Sequence, residues 1–600
     1  MLHHYEAPVE DLLFTMREVA GLHDVLALPA FDMCDEALVQ AVLEQAARFA
    51  SDALAPLNRS GDREGARLDG AEVRMPAGFQ AAYASYVEAG WGGLAADPEY
   101  GGQGLPRLLW TAVQEMWKAA NLGFSALPQL TLGAVEALMA HADEALRQRF
   151  LPRLVSGHWT GAMALTEPQA GSDLSAIGAL ATPHADGSWR LVGQKCFITY
   201  ADHDLAENVV TLVLARTPGA PAGVKGLTLF LVPKWLVDDD GRLGARNDVR
   251  YHSLEHKLGF HAGPTGILNF GDAGGAVAYR VGALHNGLPA MFVMMNDARF
   301  SVGLEGVGLA DRAWQQARAY AHERVQGRSA GSPASVPIVQ HPDVRRMLLT
   351  MKALTEAMRA FAAVLASARD LGSAHPDAGE CARQQRQVDF LTPVFKGWCT
   401  ETGVVVANLG IQVHGGMGVV EETGAAQYLR DARAATLYEG TTGIQAADFV
   451  GRKLARDQGQ AAHAVLAQMR DTVDVLGGIA APAFATLQRD LRRAVEALAN
   501  ATDSALAQHA RQPAAALAVS VPLLELWGTV IGGWLLAHGA CRAHALRQDP
   551  SRPQRYGAAF LDAKVATARF YGAHLLSRAT GLADIVCEGA AACLDDAATL

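Results

Sequence analysis

The segment "RDARAATLYEGTTGIQAADF", residues 430–449, begins as a helical pattern and breaks off around Glu439. Arg430, Asp431 and Arg433 have the spacing of local ion pairs on a helix. An acid at the carboxyl end of a helix opposes the helix dipole, so Glu439 does not serve helix stability at this position. The local pattern leaves two hypotheses open, a surface acid and a functional carboxylate.

Helical patterns surround this segment from 285 to 455. The stretch "ARFSVGLEGVGLADRAWQQARAYAHERVQG", residues 298–327, predicts one long helix. Its glycines at 303, 306 and 308 indicate close contact between helices. They do not match the dinucleotide-binding fingerprint, which also needs a preceding strand.

The pattern of apolar and turn residues divides the rest of the chain into further helical parts and one β part. Residues 161–284 contain short β-branched runs separated by turn residues, which predicts a middle β domain. Loops are expected at 327–337 and 547–555, where turn residues interrupt the helical pattern. The sequence predicts an α+β chain, mostly α, made of an N-terminal extension, an N-terminal helical domain, a middle β-barrel or sandwich domain, a C-terminal four-helix bundle and an additional helical domain. Their predicted bounds are 1–37, 38–160, 161–284, 285–455 and 461–600.

The bulk composition excludes several classes of protein. A chain of 600 residues is too long for one hydrophobic core. Its net charge of −11, without long single-sign runs, argues against binding nucleic acid or anionic membranes. The seven scattered cysteines suggest neither a disulfide scaffold nor a metal site. The first residues, "MLHHYEAPVEDLLFTMREV", lack the basic start and apolar core of a secretory signal, so a cytoplasmic location is expected.

One apolar stretch, residues 513–541, is long enough to cross a bilayer. Pro522 and Glu525 interrupt it, and no basic flank anchors it. Its small residues suit close helix packing. We expect a buried helix or helix pair here and no integral membrane segment.

Three further stretches combine polar side chains with breaks in the pattern: "AMALTEPQAGSDLSA" (162–176), "GQKCFITYADH" (193–203) and "QVHGGMGVVEE" (412–422). Each has an ordinary structural interpretation as a turn, a strand end or a helix end. Each also fits a ligand, through exposed hydroxyls, an aromatic wall and an accessible glycine backbone. By itself, His414 is typical of a turn histidine with satisfied hydrogen bonds.

Taken in order, these stretches, with "EHKLGFHAGPTG" (255–266) and the opening segment, closely resemble the acyl-CoA dehydrogenase family. The resemblance covers about 40–455, the family's helical, β and helical core. The length and the block after 460 resemble its long subfamily, whose substrates include 3-methylmercaptopropionyl-CoA.

The resemblance implies a tightly bound FAD and an acyl-CoA substrate. A glutamate removes the α-proton, and the β-hydride passes to the flavin to give the trans-2-enoyl-CoA. Glu439 matches that glutamate in the family's Tyr-Glu-Gly-Thr segment. Burial beside an apolar ligand raises a carboxylate's pKa and makes it a competent base. The backbone N–H of Glu439 and the flavin ribityl hydroxyl are expected to polarise the thioester carbonyl.

The same matching implies contacts for other residues. The FAD contacts implied are Leu165, Thr166, Ser172, Phe197, Thr199, Arg324, Gln412, Gly415, Gly416 and Thr441, with Arg324 directed to the cofactor of a neighbouring subunit. The substrate contacts implied are Ser172, Asn296, Arg299 and Gly440. No metal is expected.

The chain departs from the family pattern at two places. After Arg324 it reads Val325-Gln326-Gly327-Arg328, where the family often has an aromatic residue and a glycine. Gly443 replaces a common glutamine. Both departures concern the adenine-side contacts and leave the base untouched.

The family leaves several functions open. Electrons are expected to pass to an electron-transfer flavoprotein, and the alternative is an acyl-CoA oxidase that uses oxygen. A third hypothesis is a catalytically silent CoA-binding relative. A homo-oligomer, a dimer in the first instance, is expected. The substrate stays open between fatty acyl-CoA thioesters and 3-methylmercaptopropionyl-CoA.

Overall fold

A computed structural model describes residues 4–329, 331, 333–549 and 555–595. Parts of the two predicted loops, at 330, 332 and 550–554, lie outside the described residues. The contacts divide the chain into two units. Unit 1 comprises Met1–Ala47, Pro106–Ala119 and Val302–Leu600, and unit 2 comprises Arg48–Leu105 and Ala120–Ser301. These units cut across the domains expected from the sequence, whose boundaries stay a prediction.

Helices dominate both ends of the chain, as the sequence predicts. In chain order they are α1 Val9–Phe14, α2 Leu22–Leu26, α3 Glu36–Arg48, α4 Ala55–Glu64, α5 Phe79–Glu88, α6 Arg107–Ala120, α7 Leu122–His141, α8 Glu144–Val155, α9 Gly287–Glu323, α10 Pro342–Ala374, α11 Ala378–His414, α12 Ala425–Ala435, α13 Thr442–Asp448, α14 Gln460–Gly477, α15 Pro482–Arg511, α16 Pro513–Ala518, α17 Ser520–Gln548, α18 Ala558–His574, α19 Ala579–Glu588 and α20 Ala590–Cys593.

Twelve strands lie in the described residues, all but two of them in the middle of the chain. They are β1 Arg67–Asp69, β2 Glu72–Arg74, β3 Trp159–Ala164, β4 Leu180–Pro183, β5 Trp189–Thr199, β6 Asn208–Arg216, β7 Leu227–Pro233, β8 Trp235–Val237, β9 Leu243–Arg246, β10 Val249–Leu254, β11 Thr265–Phe270 and β12 Ala276–Val281. The β1–β2 hairpin falls inside a part that the sequence analysis took as wholly helical.

The main sheet of unit 2 has the order β10-β11-β5-β12-β7-β6-β3, and β4 pairs with β5 and β6. The β3–β6 pair is parallel, whereas the β5–β11 pair is antiparallel. The register between β5 and β11 shifts, with Ile198 opposite Gly266 but Lys195 opposite Leu268. The extra residue of β5 forms a β-bulge that includes Phe197, and such bulges redirect side chains near functional sites.

In unit 1, helix α9 packs tightly against α6 and α11 through its glycines. A Cβ atom on Gly306 would lie 2.2 Å from the carbonyl oxygen of Cys399 on α11, and one on Gly308 would lie 2.8 Å from the backbone nitrogen of Ala119 on α6. Side chains larger than hydrogen cannot fit at these crossings. The prediction that these glycines allow close helix contact is confirmed.

Two of the described helices, α7 and α17, are long and apolar enough to cross a bilayer. The apolar windows of these helices are 78% and 83% buried inside the fold, which is typical of core helices. The stretch 513–541 forms α16 and most of α17. The prediction of a buried helix is confirmed for α17, whereas in α16 only Ala516 is buried.

Within unit 1, the amino-terminal segment packs against later helices through charged side chains. Asp11 accepts hydrogen bonds from Arg359 on α10 and Lys564 on α18. Glu18 accepts from Arg542 on α17 at 2.9 Å. The start of the chain therefore holds the helices of the bundle and those of the additional block in one unit.

Candidate active site

Glu439 lies in a loop, because α12 ends at Ala435 and α13 begins at Thr442. It is half-buried and adopts a left-handed backbone conformation with φ of 57°, and Gly440 follows with φ of 92°. A left-handed conformation in a non-glycine residue costs about 1–3 kcal/mol and persists where the surroundings enforce it, often at functional sites. The helix-dipole argument made from the sequence therefore does not apply, since Glu439 is outside both helices.

Two buried side chains hold the backbone carbonyl groups of Glu439 and of the residue that follows it. Gln445 donates its amide N–H to the carbonyl oxygen of Glu439 at 2.8 Å. Lys396 on α11 donates its ammonium to the carbonyl oxygen of Gly440 at 2.7 Å. Neither side chain is exposed to solvent. These bonds satisfy carbonyl groups that the strained turn would otherwise leave without partners.

The residues that follow Glu439 complete the turn into α13. Thr441 caps α13, since its hydroxyl oxygen accepts the backbone N–H of Ile444 at 3.3 Å. Gly440 has no room for a side chain, because a Cβ there would lie 2.7 Å from the amide nitrogen of Gln445. Glycine is thus required at 440 both by its φ and by this contact.

A buried charged cluster lies directly behind Tyr438. Its hydroxyl donates a hydrogen bond to the carboxylate of Glu305 on α9. The ammonium of Lys118 on α6 lies 4.0 Å from the other oxygen of Glu305. Burial raises the pKa of Glu305 above its ordinary value, and the positive charges of Lys118 and Lys396 oppose that rise. Burial, followed by the charge of Glu305, raises the pKa of Tyr438.

In unit 2, a second buried pair fixes the polar loop after β3. Lys195 on β5 lies 2.8 Å from Glu167 and also donates to the carbonyl oxygen of Leu165 at 2.9 Å. Glu167 accepts the backbone N–H groups of Gly178 at 2.7 Å and Ala179 at 3.0 Å. Burial alone raises the pKa of Glu167, but Lys195 and these two N–H groups together lower it below its ordinary value.

The loop and the end of β5 bring four predicted cofactor residues together. The carbonyl oxygen of Thr166, which follows Leu165, accepts the backbone N–H of Cys196 at 2.9 Å. Phe197 has a φ of 56° and is 66% exposed, so its ring is not part of the core. Thr199 shares a 3.0 Å hydrogen bond with Thr265 of β11. The result is an exposed aromatic ring beside a rigid polar loop.

The other predicted ligand residues of unit 2 are more dispersed. Ser172 is exposed in the loop after β3. Asn296 and Arg299 lie on α9, one turn apart, and only Asn296 is exposed. The guanidinium of the buried Arg299 lies 6.0 Å from the ring centroid of Phe292.

The predicted adenine-side residues lie in unit 1. Arg324, exposed just after α9, donates to the amide oxygen of Gln326 at 3.4 Å. Gln412 lies in the last turn of α11, and Gly415 and Gly416 follow it. Cβ atoms added to these two glycines would meet no atom within 4 Å, so a ligand can approach their backbone.

His414 at the end of α11 has an ordinary structural role. Its Nδ1 lies 2.7 Å from the carbonyl oxygen of Gly410, and its ring stacks on Tyr320 at a centroid distance of 4.5 Å. The bond at Nδ1 agrees with the interpretation of His414 as a turn histidine, which stays a prediction.

Sequence reasoning missed four residues that shape these sites, namely Lys118, Lys195, Glu305 and Lys396. One signal was available, since Glu305 is an isolated acid inside the small-residue run at 303–308 that packs between helices. A charged residue in such a position is rarely buried unless it has a partner.

Comparison with known proteins assigns the chain to a family. Family models of acyl-CoA dehydrogenases match in order: the N-terminal domain at 38–158, the middle domain at 162–273 and the C-terminal domain at 285–454. A model described as acetyl-CoA dehydrogenase C-terminal like matches 465–596. The chain belongs to the acyl-CoA dehydrogenase family and is an oxidoreductase. The predicted family and fold class are confirmed.

Among its relatives, the chain is 44% identical to 3-methylmercaptopropionyl-CoA dehydrogenase of Ruegeria pomeroyi, over 95% of this chain and 96% of that protein. It is 34% identical to a broad-specificity linear acyl-CoA dehydrogenase of Mycobacterium tuberculosis, over 97% of each. The resemblance to the long subfamily is thereby confirmed.

Solved structures share the fold over nearly the whole chain. ACDH-11 of Caenorhabditis elegans, in complex with C11-CoA, has a TM-score of 0.75 at 21% identity, covering 96% of this chain and 92% of that one. An acyl-CoA dehydrogenase of Bacillus anthracis, complexed with FAD, has a TM-score of 0.73 at 19% identity, covering 96% and 90%.

Proposed function

We propose that this protein is an FAD-dependent dehydrogenase that introduces a trans-2 double bond into an acyl-CoA thioester, with Glu439 as the catalytic base. The single observation that carries the proposal is the geometry of Glu439. Its backbone is strained, two buried side chains hold its own carbonyl group and that of Gly440, and the residue after it can only be glycine. Such strain is maintained where a side chain has to be aimed.

The chain offers groups that fit FAD. An exposed aromatic ring at Phe197 beside the polar loop at 165–176 suits a flat heteroaromatic ring, and the open backbone of Gly415 and Gly416 suits a close approach by the cofactor. When bound, FAD supplies the acceptor for the β-hydride. In this proposal the flavin and its phosphates are held by Leu165, Thr166, Ser172, Phe197, Thr199, Arg324, Gln412, Gly415, Gly416 and Thr441, with Arg324 serving the neighbouring subunit of a homodimer.

The residues of the chain then have definite tasks. The carboxylate of Glu439 removes the α-proton, and its backbone N–H donates to the thioester oxygen, where negative charge develops. Gly440 leaves room for the thioester. Lys396 and Gln445 keep the turn fixed, so that the base does not have to be ordered during the reaction. Asn296, Arg299 and Ser172 bind the CoA portion.

The relatives support a substrate for this proposal, and the family resemblance supports an electron acceptor. A relative 44% identical over 95% of the chain is named for 3-methylmercaptopropionyl-CoA, so we infer that this thioester, or a short acyl-CoA, is the substrate. Electrons pass to an electron-transfer flavoprotein in this proposal. A cytoplasmic location remains part of the same inference.

The proposal is tested by anaerobic bleaching of the flavin in the purified protein. The substrates are 3-methylmercaptopropionyl-CoA, butyryl-CoA, octanoyl-CoA and palmitoyl-CoA. At least one should bleach the wild type. Glu439→Gln should keep its flavin and lose about 10²–10⁴ in the bleaching rate, the usual contribution of a general base. Glu422→Gln, an exposed acid elsewhere in unit 1, is the matched control.

Three results would overturn the assignment in different ways. Full bleaching by Glu439→Gln would remove Glu439 as the base. A colourless wild type, or one that no acyl-CoA bleaches, would favour the silent CoA-binding relative. Rapid reoxidation by air with stoichiometric peroxide would make the enzyme an oxidase.

A further inference from the structure

The charged cluster behind Tyr438 joins three helices to the loop of the proposed base. Glu305 on α9 has only 4% of its surface exposed, and Lys118 on α6 has none. The close α6–α9 crossing at Gly308 places Lys118 there, because the Cβ atom of Lys118 would lie 2.9 Å from a Cβ on this glycine. Tyr438 connects the cluster to the loop, since it is bonded to Glu305 and adjoins Glu439 in the chain.

The charges around the base nearly balance. The described groups that face the loop are Lys118 from α6, Glu305 from α9, Lys396 and Glu401 from α11, Asp431 from α12, and Tyr438 within the loop. Glu401 bonds Thr442 at 2.6 Å from an exposed position, so solvent weakens its effect. The buried charges among these groups are therefore two lysines, Lys118 and Lys396, and two acids, Glu305 and Asp431.

We propose that Glu305, held between Lys118 and Tyr438, is a positioning residue that sets the proton affinity of Glu439. The inference rests on the proposed function of Glu439 as the base. A buried negative charge near a carboxylate disfavours its ionised form, and a buried positive charge favours it. Glu305 and Asp431 together offset the two lysines, which keeps Glu439 basic enough to remove a weakly acidic α-proton.

The proposal predicts shifts of opposite sign from two single substitutions. Glu305→Gln keeps an acceptor for Tyr438 but removes one of the two buried acids that oppose the lysines, so Glu439 should ionise at lower pH and be a weaker base. Lys118→Met should do the reverse. A contribution to folding alone would not produce opposite shifts.

The experiment follows anaerobic flavin reduction by saturating 3-methylmercaptopropionyl-CoA or butyryl-CoA as a function of pH. The rate should rise with pH as the base ionises. We expect the midpoint to move by about one pH unit to the acid side in Glu305→Gln and to the alkaline side in Lys118→Met. The double variant should return towards the wild-type midpoint.

Tyr438→Phe is a second, more conservative variant that should fold, because it removes only one hydroxyl. In this background Glu305→Gln should move the midpoint less than in the wild type, since the direct connection is gone. Flavin content and thermal unfolding of each variant show whether it is folded.

The outcomes separate this inference from the function on which it rests. If the wild type is not bleached at all, the proposed function fails. If the wild type is bleached but the midpoints of both single variants stay within experimental error, or move the same way, Glu305 does not tune the base.

Discussion

Two regions of the molecule each combine a left-handed non-glycine residue with a buried lysine–glutamate pair. The two pairs differ in the distance between their charged groups. In unit 2, Phe197 has a φ of 56° and follows a buried Lys195–Glu167 pair. In unit 1, Glu439 has a φ of 57° and follows Tyr438, which is bonded to Glu305 of the Lys118–Glu305 pair. The ammonium-to-carboxylate distance is 2.8 Å in the first pair and 4.0 Å in the second.

This difference in distance suggests different roles for the two glutamates: Glu167 holds a loop in place, whereas Glu305 acts on neighbouring groups through its charge. Glu167 is satisfied by Lys195 and by two backbone N–H groups, so it orders a loop and its charge is fully compensated. Glu305 has a more distant ammonium and a neutral tyrosine donor. A charge that is less completely compensated acts on its neighbours, which suits a group placed behind a catalytic base.

The largest expected effect on stability comes from replacing the lysine of each pair, Lys195 or Lys118. Lys195→Met should lower the free energy of unfolding by about 3–5 kcal/mol, because it leaves Glu167 buried without its counter-charge. Lys118→Met should cost less, about 1–3 kcal/mol, because Glu305 keeps its bond from Tyr438. Urea unfolding monitored by circular dichroism measures both.

The control for this pair is Lys225→Met, a substitution at an exposed position of unit 2, which should change stability by less than about 0.5 kcal/mol. Equal losses in Lys195→Met and Lys118→Met would show that the two pairs do not differ in energy.

Two buried acids, Asp370 in unit 1 and Glu167 in unit 2, should contribute to the free energy of unfolding with opposite pH dependence. Asp370 is buried and caps α6, accepting the backbone N–H groups of Arg107 at 2.8 Å and Leu108 at 2.9 Å. Burial raises its pKa to about 6. An acid with a raised pKa in the folded state contributes stability at low pH and loses it as pH rises through the folded value.

The wild type should therefore lose about 3 kcal/mol relative to Asp370→Asn between about pH 3 and about pH 7, since the pKa rises from 3.8 to about 6 and each unit of pKa shift is worth about 1.4 kcal/mol. Asparagine is also a good helix cap, so the variant should fold. The pKa of Glu167 is lowered, so its contribution is present at neutral pH and is lost on acidification. Parallel slopes for Asp370→Asn and Glu167→Gln, each measured against the wild type by urea unfolding, would contradict the assignment.

A smaller effect is expected from a single methyl group in the base loop. Gly440→Ala should cost about 1–3 kcal/mol, because a left-handed φ and the contact with Gln445 both disfavour a Cβ. It should also slow flavin reduction, because the turn that aims Glu439 must shift. Gly443→Ala is the matched control, since a Cβ there lies 3.9 Å from its nearest neighbour and alanine favours the α13 helix. If both variants behave alike, the turn is not strained at 440.

The sequence predicts the fold and the identity of the proposed base, but not how the base is held. The order of helical and β parts, the burial of 513–541 and the role of the α9 glycines follow from local composition and spacing. Glu305 and Tyr438 are 133 residues apart, and Lys396 and Gly440 are 44 apart. Contacts over such separations depend on how helices cross, which periodicity does not give. The positive φ of Phe197 and of Glu439 is likewise imposed by tertiary structure, since neither residue type favours it.

The smallest expected effect tests the left-handed backbone conformation that Phe197 and Glu439 share. Phe197→Gly and Glu439→Gly should each relieve a left-handed conformation worth about 1–2 kcal/mol, less the cost of about 0.4–1 kcal/mol for the greater freedom of glycine in the unfolded chain. Phe197 is 66% exposed, so its removal sacrifices little burial and the net gain should be about 0.5–1 kcal/mol. Glu439→Gly should gain less, because the half-buried side chain also gives up its interactions, while flavin reduction is lost. Thermal unfolding of the two variants measures these changes. A loss of stability in Phe197→Gly would mean that the bulge depends on the aromatic ring, and the likeness between the two regions would then be one of backbone geometry alone.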